Sequence, residues 1–263
     1  MSEFDDATHI GADGVGAIHD GWDINGNANG GYLLALATRG MLAISARPDP
    51  ITVTAHYLSP GKPGPVRVDG SVVKSGRRFS TVAGSLRAGD RTILQLVGSF
   101  GDLSVVTDAY EHLVSGPPAL PPVEECVPRT ARQGSVTVAM MDKLDIRIHP
   151  DHAGWVTNDR NGVAEMAGWF AFRDGRPLDT LSMLMVCDAF PPAVFHLDMP
   201  PGWVPTLELT VHVRAVPAPG PVRCVFRSQF VQGGFFNEDG EVWDSAGRLV
   251  AQSRQLGLTP LTL

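Results

Sequence analysis

The chain has 263 residues, a formal charge of −7, and 43% apolar against 19% charged residues, the proportions of a soluble globular protein with room for two domains of roughly 100–150 residues. The negative balance excludes nucleic acid or an anionic membrane as the main partner, since both demand a basic face. No apolar run reaches spanning length, the acidic start MSEFDDATHI holds no signal core, and three cysteines without CxxC spacing (Cys126, Cys187, Cys224) fit a reducing cytoplasm rather than a disulfide framework or a zinc site.

Residues 15–24, VGAIHDGWDI, read as a strand running into the loop NGNANGG. That loop opens a helix, YLLALATRGMLAISA, whose apolar residues recur nearly all round, the mark of a buried helix. Asn29 is a fitting N-cap, and Gly30-Gly31 permits close backbone approach by another group. Strands follow at 51–58, about 66–74, about 79–87 and over TILQLVGSF. One long helix followed by an antiparallel meander is an α+β pattern and not the βαβ alternation of a parallel sheet. The most basic cluster, Lys74, Arg77 and Arg78, falls in the turn VVKSGRRFS, where a solvated face is the ordinary role.

From 105 to 135 the chain changes character. PPALPPVEECVPR has many prolines and no periodicity, so it reads as an extended linker between an N-terminal domain, 1–104, and a C-terminal domain, 136–263. The second domain repeats the order of the first. Strands LDIRIH and AEMAGWFAFR precede the apolar helix LDTLSMLMVCDAF, stopped by Pro191-Pro192, and four further strands follow it. An internal match supports two copies. Thr52–Arg67 aligns with Glu208–Arg223 at a constant offset of 156, identical at seven of sixteen positions, including Thr54/Thr210, His56/His212 and the shared turn PGPVR. The histidines lie on the polar phase of their strands and read as surface or interface residues.

Asp188 is the anomaly. It stands near the end of an otherwise apolar helix, where burial and the negative end of the helix dipole both raise a carboxyl pKa, the tuning of a general base. A helix end meeting solvent before Pro191 accounts for it equally well. The first helix holds no Asp or Glu. The remaining histidines lack metal-ligand spacing, and no GxSxG, P-loop or dinucleotide fingerprint occurs.

GWDINGNANGGYLLALATRGML followed by ITVTAHYLSPGKPGPV resembles the first half of a double-hotdog acyl-CoA thioesterase of the bacterial TesB and peroxisomal type. The helix-Asp, Thr-strand and terminal Gln of the second half are similar to that family's catalytic half. The resemblance implies two fused hotdog domains, each a long buried helix wrapped by a curved antiparallel sheet. It implies an acyl-CoA substrate, a place in lipid metabolism and no cofactor. By position it implies that Asp188 activates a water oriented by Thr206 and Gln255. The first helix, at Gly30, Gly31 and Tyr32, would then bind the substrate, with glycine N–H groups as oxyanion donors. Exposed hotdog sheet edges imply a homodimer or larger assembly.

The family's aromatics are missing after Thr206-Leu207-Glu208, and Leu256-Gly257 replaces Glu-Gly after the Gln; both departures bear on substrate choice. Simple alternation also puts Thr206 in phase with Glu208 and His212, so aiming it inward requires a bulge or the seam between the domains. The acyl tunnel is expected among Met183, Met185, Phe190 and Phe195. Two other readings compete: a non-catalytic acyl-CoA or lipid-binding protein, and an enoyl-thioester hydratase or dehydratase using Asp151-His152.

Overall fold

The computed structural model describes residues 2–105, 110–133, 136–157, 159–200 and 202–260. Eleven principal strands form one antiparallel sheet: β1 Val15–Ile18, β2 Asp49–Tyr57, β3 Gly64–Ser75, β4 Ser80–Ala88, β5 Arg91–Gly101, β6 Leu144–Ile148, β7 Glu165–Phe172, β8 Thr206–Val213, β9 Val222–Arg227, β10 Phe235–Trp243 and β11 Leu249–Leu258. Their order across the sheet is β1-β3-β4-β5-β2-β8-β11-β10-β9-β7-β6. Read outward from the β2–β8 seam, the two halves follow the same order over five strands, and β6 adds a sixth to the second half. At the seam Thr54 lies opposite Thr210, with the hydroxyl oxygens 2.8 Å apart, and His56 and Thr52 lie opposite Glu208 and His212. The matched segments therefore face one another about a local twofold centre. His56 and His212 are both exposed.

Three helices lie against this sheet: α1 Glu3–Ala7, α2 Gly30–Ser45 and α3 Ser182–Val186. Helix α2 begins where the sequence indicates. The Asn29 side chain accepts from the Tyr32 N–H, and the helix ends at Ala46, a left-handed residue with φ 52° before Arg47-Pro48. Its leucines at 33, 34 and 36 are buried in the common core; each such side chain contributes about 1.5–3 kcal/mol.

The second helix is not the long one expected over 178–190. Helix α3 has only five residues. Reciprocal bonds between Asp179 and Ser182 start the turn. At its end the Asp188 and Ala189 N–H groups reach back three residues, to Met185 and Val186, instead of four. That tightening, with Pro191-Pro192 beyond it, stops the helix before Cys187.

The loop NGNANGG also holds more order than expected. Asp23–Ile24 and Asn27–Ala28 pair as a minimal hairpin whose turn, Asn25-Gly26, has φ of 50° and 73°. Positive φ at both central residues is the type I′ geometry that Asn-Gly favours. Within the expected linker, 106–109 and 134–135 lie outside the described residues, and Val127–Pro128 pairs with β6. Among the described residues no helix is long and apolar enough to cross a membrane.

Candidate active site

A cavity of about 580 Å³ opens where the N-terminus of α2 meets the turn after α3. The hairpin asparagines Asn25 and Asn27, then Asn29 and Gly30, form one wall; Cys187, Asp188, Thr206, Glu238 and Gln255 contribute to the rest. The two halves of the chain share one site.

Asp188 is held by three bonds across that junction. Its Oδ2 accepts from the Gly31 N–H at 2.7 Å and from Asn29 Nδ2 at 3.0 Å, and its carbonyl accepts from the same Nδ2 at 2.9 Å. Asn29 thus caps α2 through Oδ1 and grips Asp188 through Nδ2. Burial pushes the Asp188 carboxyl up to about 6, while the Gly31 and Asn29 donors pull it down. The expected rise is present, but its setting differs from the expectation: the carboxylate sits at the positive end of another helix, which partly offsets its desolvation. Oδ1 makes no hydrogen bond among the described residues and is the oxygen left to meet a ligand.

The glycines make this approach possible. A methyl group on Gly31 would lie 2.8 Å from Asp188 Cβ and 2.9 Å from the Met185 carbonyl oxygen; one on Gly30 would lie 2.9 Å from Asp188 Oδ2. Only residues without Cβ fit there. The same contacts correct one expectation. The Gly31 N–H, read as an oxyanion donor, is already committed to Asp188, whereas Gly30 lines the cavity. Tyr32 is also elsewhere. Two residues along a helix is more than half a turn, so its ring points into the core, stacks on Trp22 at 5.3 Å, accepts from the His19 N–H and donates to the Ala7 carbonyl.

Thr206 and Gln255 meet on the opposite wall. Gln255 Nε2 donates to Thr206 Oγ1 at 2.6 Å. Of the two ways to aim Thr206 inward, the structure has the bulge: Thr206 pairs with Gly257 and Glu208 pairs with Leu256, leaving Leu207 as the extra residue. Of the expected tunnel residues, Phe190 and Phe195 line the cavity, while Met183 and Met185 are packed in the core. Asp151 and His152 are not among its lining. His152 Nδ1 instead accepts from the Ala167 N–H.

Glu238 was not singled out from the sequence. It pairs with Gln255 across β10 and β11, lines the cavity and accepts from the Ala193 N–H at 2.6 Å. Burial, aided by the charges of Asp188 and Asp239, pushes its carboxyl up to about 8. The signal was available. Phe236, Glu238, Gly240 and Val242 share one phase of β10, and all four are buried. A carboxylate in phase with apolar neighbours is an inward-facing one.

Known proteins resemble this chain along most of its length. Residues 18–101 match the model of the acyl-CoA thioesterase N-terminal domain, and residues 123–259 match that of the C-terminal domain. The chain belongs to the acyl-CoA thioesterase family. As a member it is a thioester hydrolase. A proposed thioesterase II from Thermobifida fusca YX is 30% identical, with a TM-score of 0.88 over 99% of this chain and 98% of that one. A protein of unknown function with a hot dog fold from Alicyclobacillus acidocaldarius superposes with a TM-score of 0.87 at 21% identity, covering 100% of each chain, which shows the fold. An uncharacterized protein of Mycobacterium tuberculosis is 29% identical, over 93% of this chain and 90% of its own length. The C-terminal match begins at residue 123, inside the proline-rich stretch.

Proposed function

We propose that the protein hydrolyses acyl-CoA thioesters by direct attack of water, in a site built jointly by two fused hotdog units, 1–104 and 136–263, joined by 105–135. In this reading Asp188 Oδ1 takes the proton from a water that Thr206 and Gln255 orient. The water oxygen bonds to the thioester carbonyl carbon, the negative charge on oxygen is met by the Gly30 end of α2, and the C–S bond then breaks as the proton held by Asp188 passes to the departing sulfur, releasing the acid and CoA thiol. A cytoplasmic enzyme of lipid metabolism, assembled as a homodimer or larger oligomer, completes the proposal.

One observation carries the mechanism. Asp188 is half-buried, its carboxyl is raised to about 6, and it shares a cavity with the hydrogen-bonded Thr206–Gln255 pair. A base with that pKa is mostly ionised at neutral pH while still able to hold a proton briefly. The test is thiol release from a panel of acyl-CoAs by the wild type and Asp188→Ala, with circular dichroism to confirm folding. A fall of about 10²–10⁴ in kcat is expected for loss of a general base. An Asp188→Ala variant that keeps wild-type turnover rejects this mechanism. Acyl-CoA binding without release by the wild type points to a non-catalytic binding protein.

A further inference from the structure

Arg129 lines the same cavity, although it lies in the proline-rich stretch and has no part in the mechanism above. Its backbone N–H donates to the Ile146 carbonyl, which fixes it beside β6. Its exposure is 7%, so the guanidinium has left water almost entirely. Of its donors, Nη1 reaches the Ala189 carbonyl at 2.9 Å, while Nε is buried without any partner. Among the described residues no carboxylate offsets the cost: burial alone acts on the group, pushing its pKa down to about 10. It therefore remains a cation at neutral pH.

An unpaired buried cation costs several kcal/mol, and one neutral carbonyl does not repay that. A forked guanidinium is shaped to hold a carboxylate through two parallel bonds. In the proposed mechanism the reacting carbonyl sits at Asp188, so the group that reaches Arg129 in the same cavity is taken to be the acyl chain and not the nucleotide end of CoA. Most of the wall is apolar, with Trp155, Phe190, Phe195 and Phe226, as an acyl chain needs, and among the described residues Arg129 is the one cation in that lining. We propose that Arg129 recognises an anionic group at the far end of the acyl chain, and that the substrates are acyl-CoA thioesters bearing a distal carboxylate.

This rests on the thioesterase reading above, and the experiment separates the two. Thiol release is measured on matched pairs of equal chain length: succinyl and butyryl, glutaryl and pentanoyl, adipoyl and hexanoyl CoA. Wild type is expected to favour the carboxylate member of at least one pair by about 10-fold or more in kcat/KM. In Arg129→Met that preference is expected to disappear, a loss of about 10-fold or more in kcat/KM for the carboxylate member, as when one partner of a buried charge pair is removed. Arg129→Lys, which keeps the charge but loses the fork, falls between them and serves if the Met variant does not fold. A wild type without preference in every pair, or a preference unchanged in both variants, overturns the proposal and leaves Arg129 as an anchor for the Ala189 turn. Product inhibition by free CoA is the second arm. If Arg129→Met weakens it as much as it weakens the carboxylate preference, the anion is a CoA phosphate and the proposal fails. Should no thioester be hydrolysed, the thioesterase reading fails instead. Calorimetry with non-hydrolysable thioether analogues of glutaryl and pentanoyl CoA then decides Arg129: tighter binding of the carboxylate form, lost in Arg129→Met, supports it, and equal binding overturns it.

Discussion

The two halves of the sheet share a strand order and a matched central strand, yet their helices end up unlike. Helix α2 runs 16 residues and offers its N-terminus, with Asn29, Gly30 and Gly31, to the cavity. Helix α3 stops after five residues and offers the turn beyond its C-terminus, with Asp188. One half supplies donors and the other a carboxylate. Equivalence of fold therefore says nothing about equivalence of chemistry, and the site exists only where the two unlike helix ends meet.

The sharpest way to break that comparison is through the half that carries no candidate base. Gly31→Ala places a methyl group against Asp188 Cβ and the Met185 carbonyl. Overpacking of this kind costs about 1–3 kcal/mol, and displacing Asp188 is expected to lower kcat on the order of 100-fold. A lowered Tm with unchanged kcat would assign the chemistry to the C-terminal half alone.

Asn29→Asp tests the electrostatic side of the junction. It removes the two bonds from Nδ2 and puts a carboxylate beside Asp188. Like charge disfavours ionisation, so the Asp188 pKa moves above about 6. Since the ionised form is the base, the acid limb of the pH–rate profile is expected to shift to higher pH, with about a 10-fold loss near neutrality. An acid limb that stays in place in this variant removes Asp188 as the titrating group.

Glu238 gives a stability test. Its carboxyl is pushed from the ordinary 4.5 to about 8 in the folded protein. The folded state thus holds a proton that the unfolded chain gives up at lower pH. Stability contributed by this group is fully present below about 4.5 and is lost as pH rises through about 8. Glu238→Gln, which stays neutral, is expected to flatten the fall of Tm between those values. Parallel curves for wild type and variant would contradict a protonated Glu238.

The smallest effect is expected at the far end of α2. Ala46 adopts φ 52° without the freedom of glycine. Ala46→Gly is expected to stabilise the protein by about 1 kcal/mol, read as a rise in Tm, and to leave kcat alone, because the αL cost disappears. A change in kcat there would show that the two ends of α2 are coupled.

Periodicity and local chemistry made much of this legible from sequence. The all-round apolar stretch after Asn29 and the alternating strands reflect preferences of a few neighbouring residues, which act wherever the chain goes. The offset repeat placed Thr54 and Thr210 in corresponding positions, and the parity of Thr206 called for either a bulge or the domain seam, of which the structure has the bulge at Leu207. Asn-Gly at 25–26 could have disclosed the hairpin, and the phase of β10 could have disclosed Glu238. What only the tertiary structure decided concerns partners far apart in sequence. The turn after α3 is held from far away, its Asp188 and Ala189 carbonyls accepting from Asn29 and Arg129. The Gly31 N–H went to Asp188 from 157 positions away, and Tyr32 turned into the core to meet Ala7 and Trp22. Arg129 gave no local sign at all, because an unpaired charge is recognised by the absence of a neighbour, and neighbours in space are set by the fold.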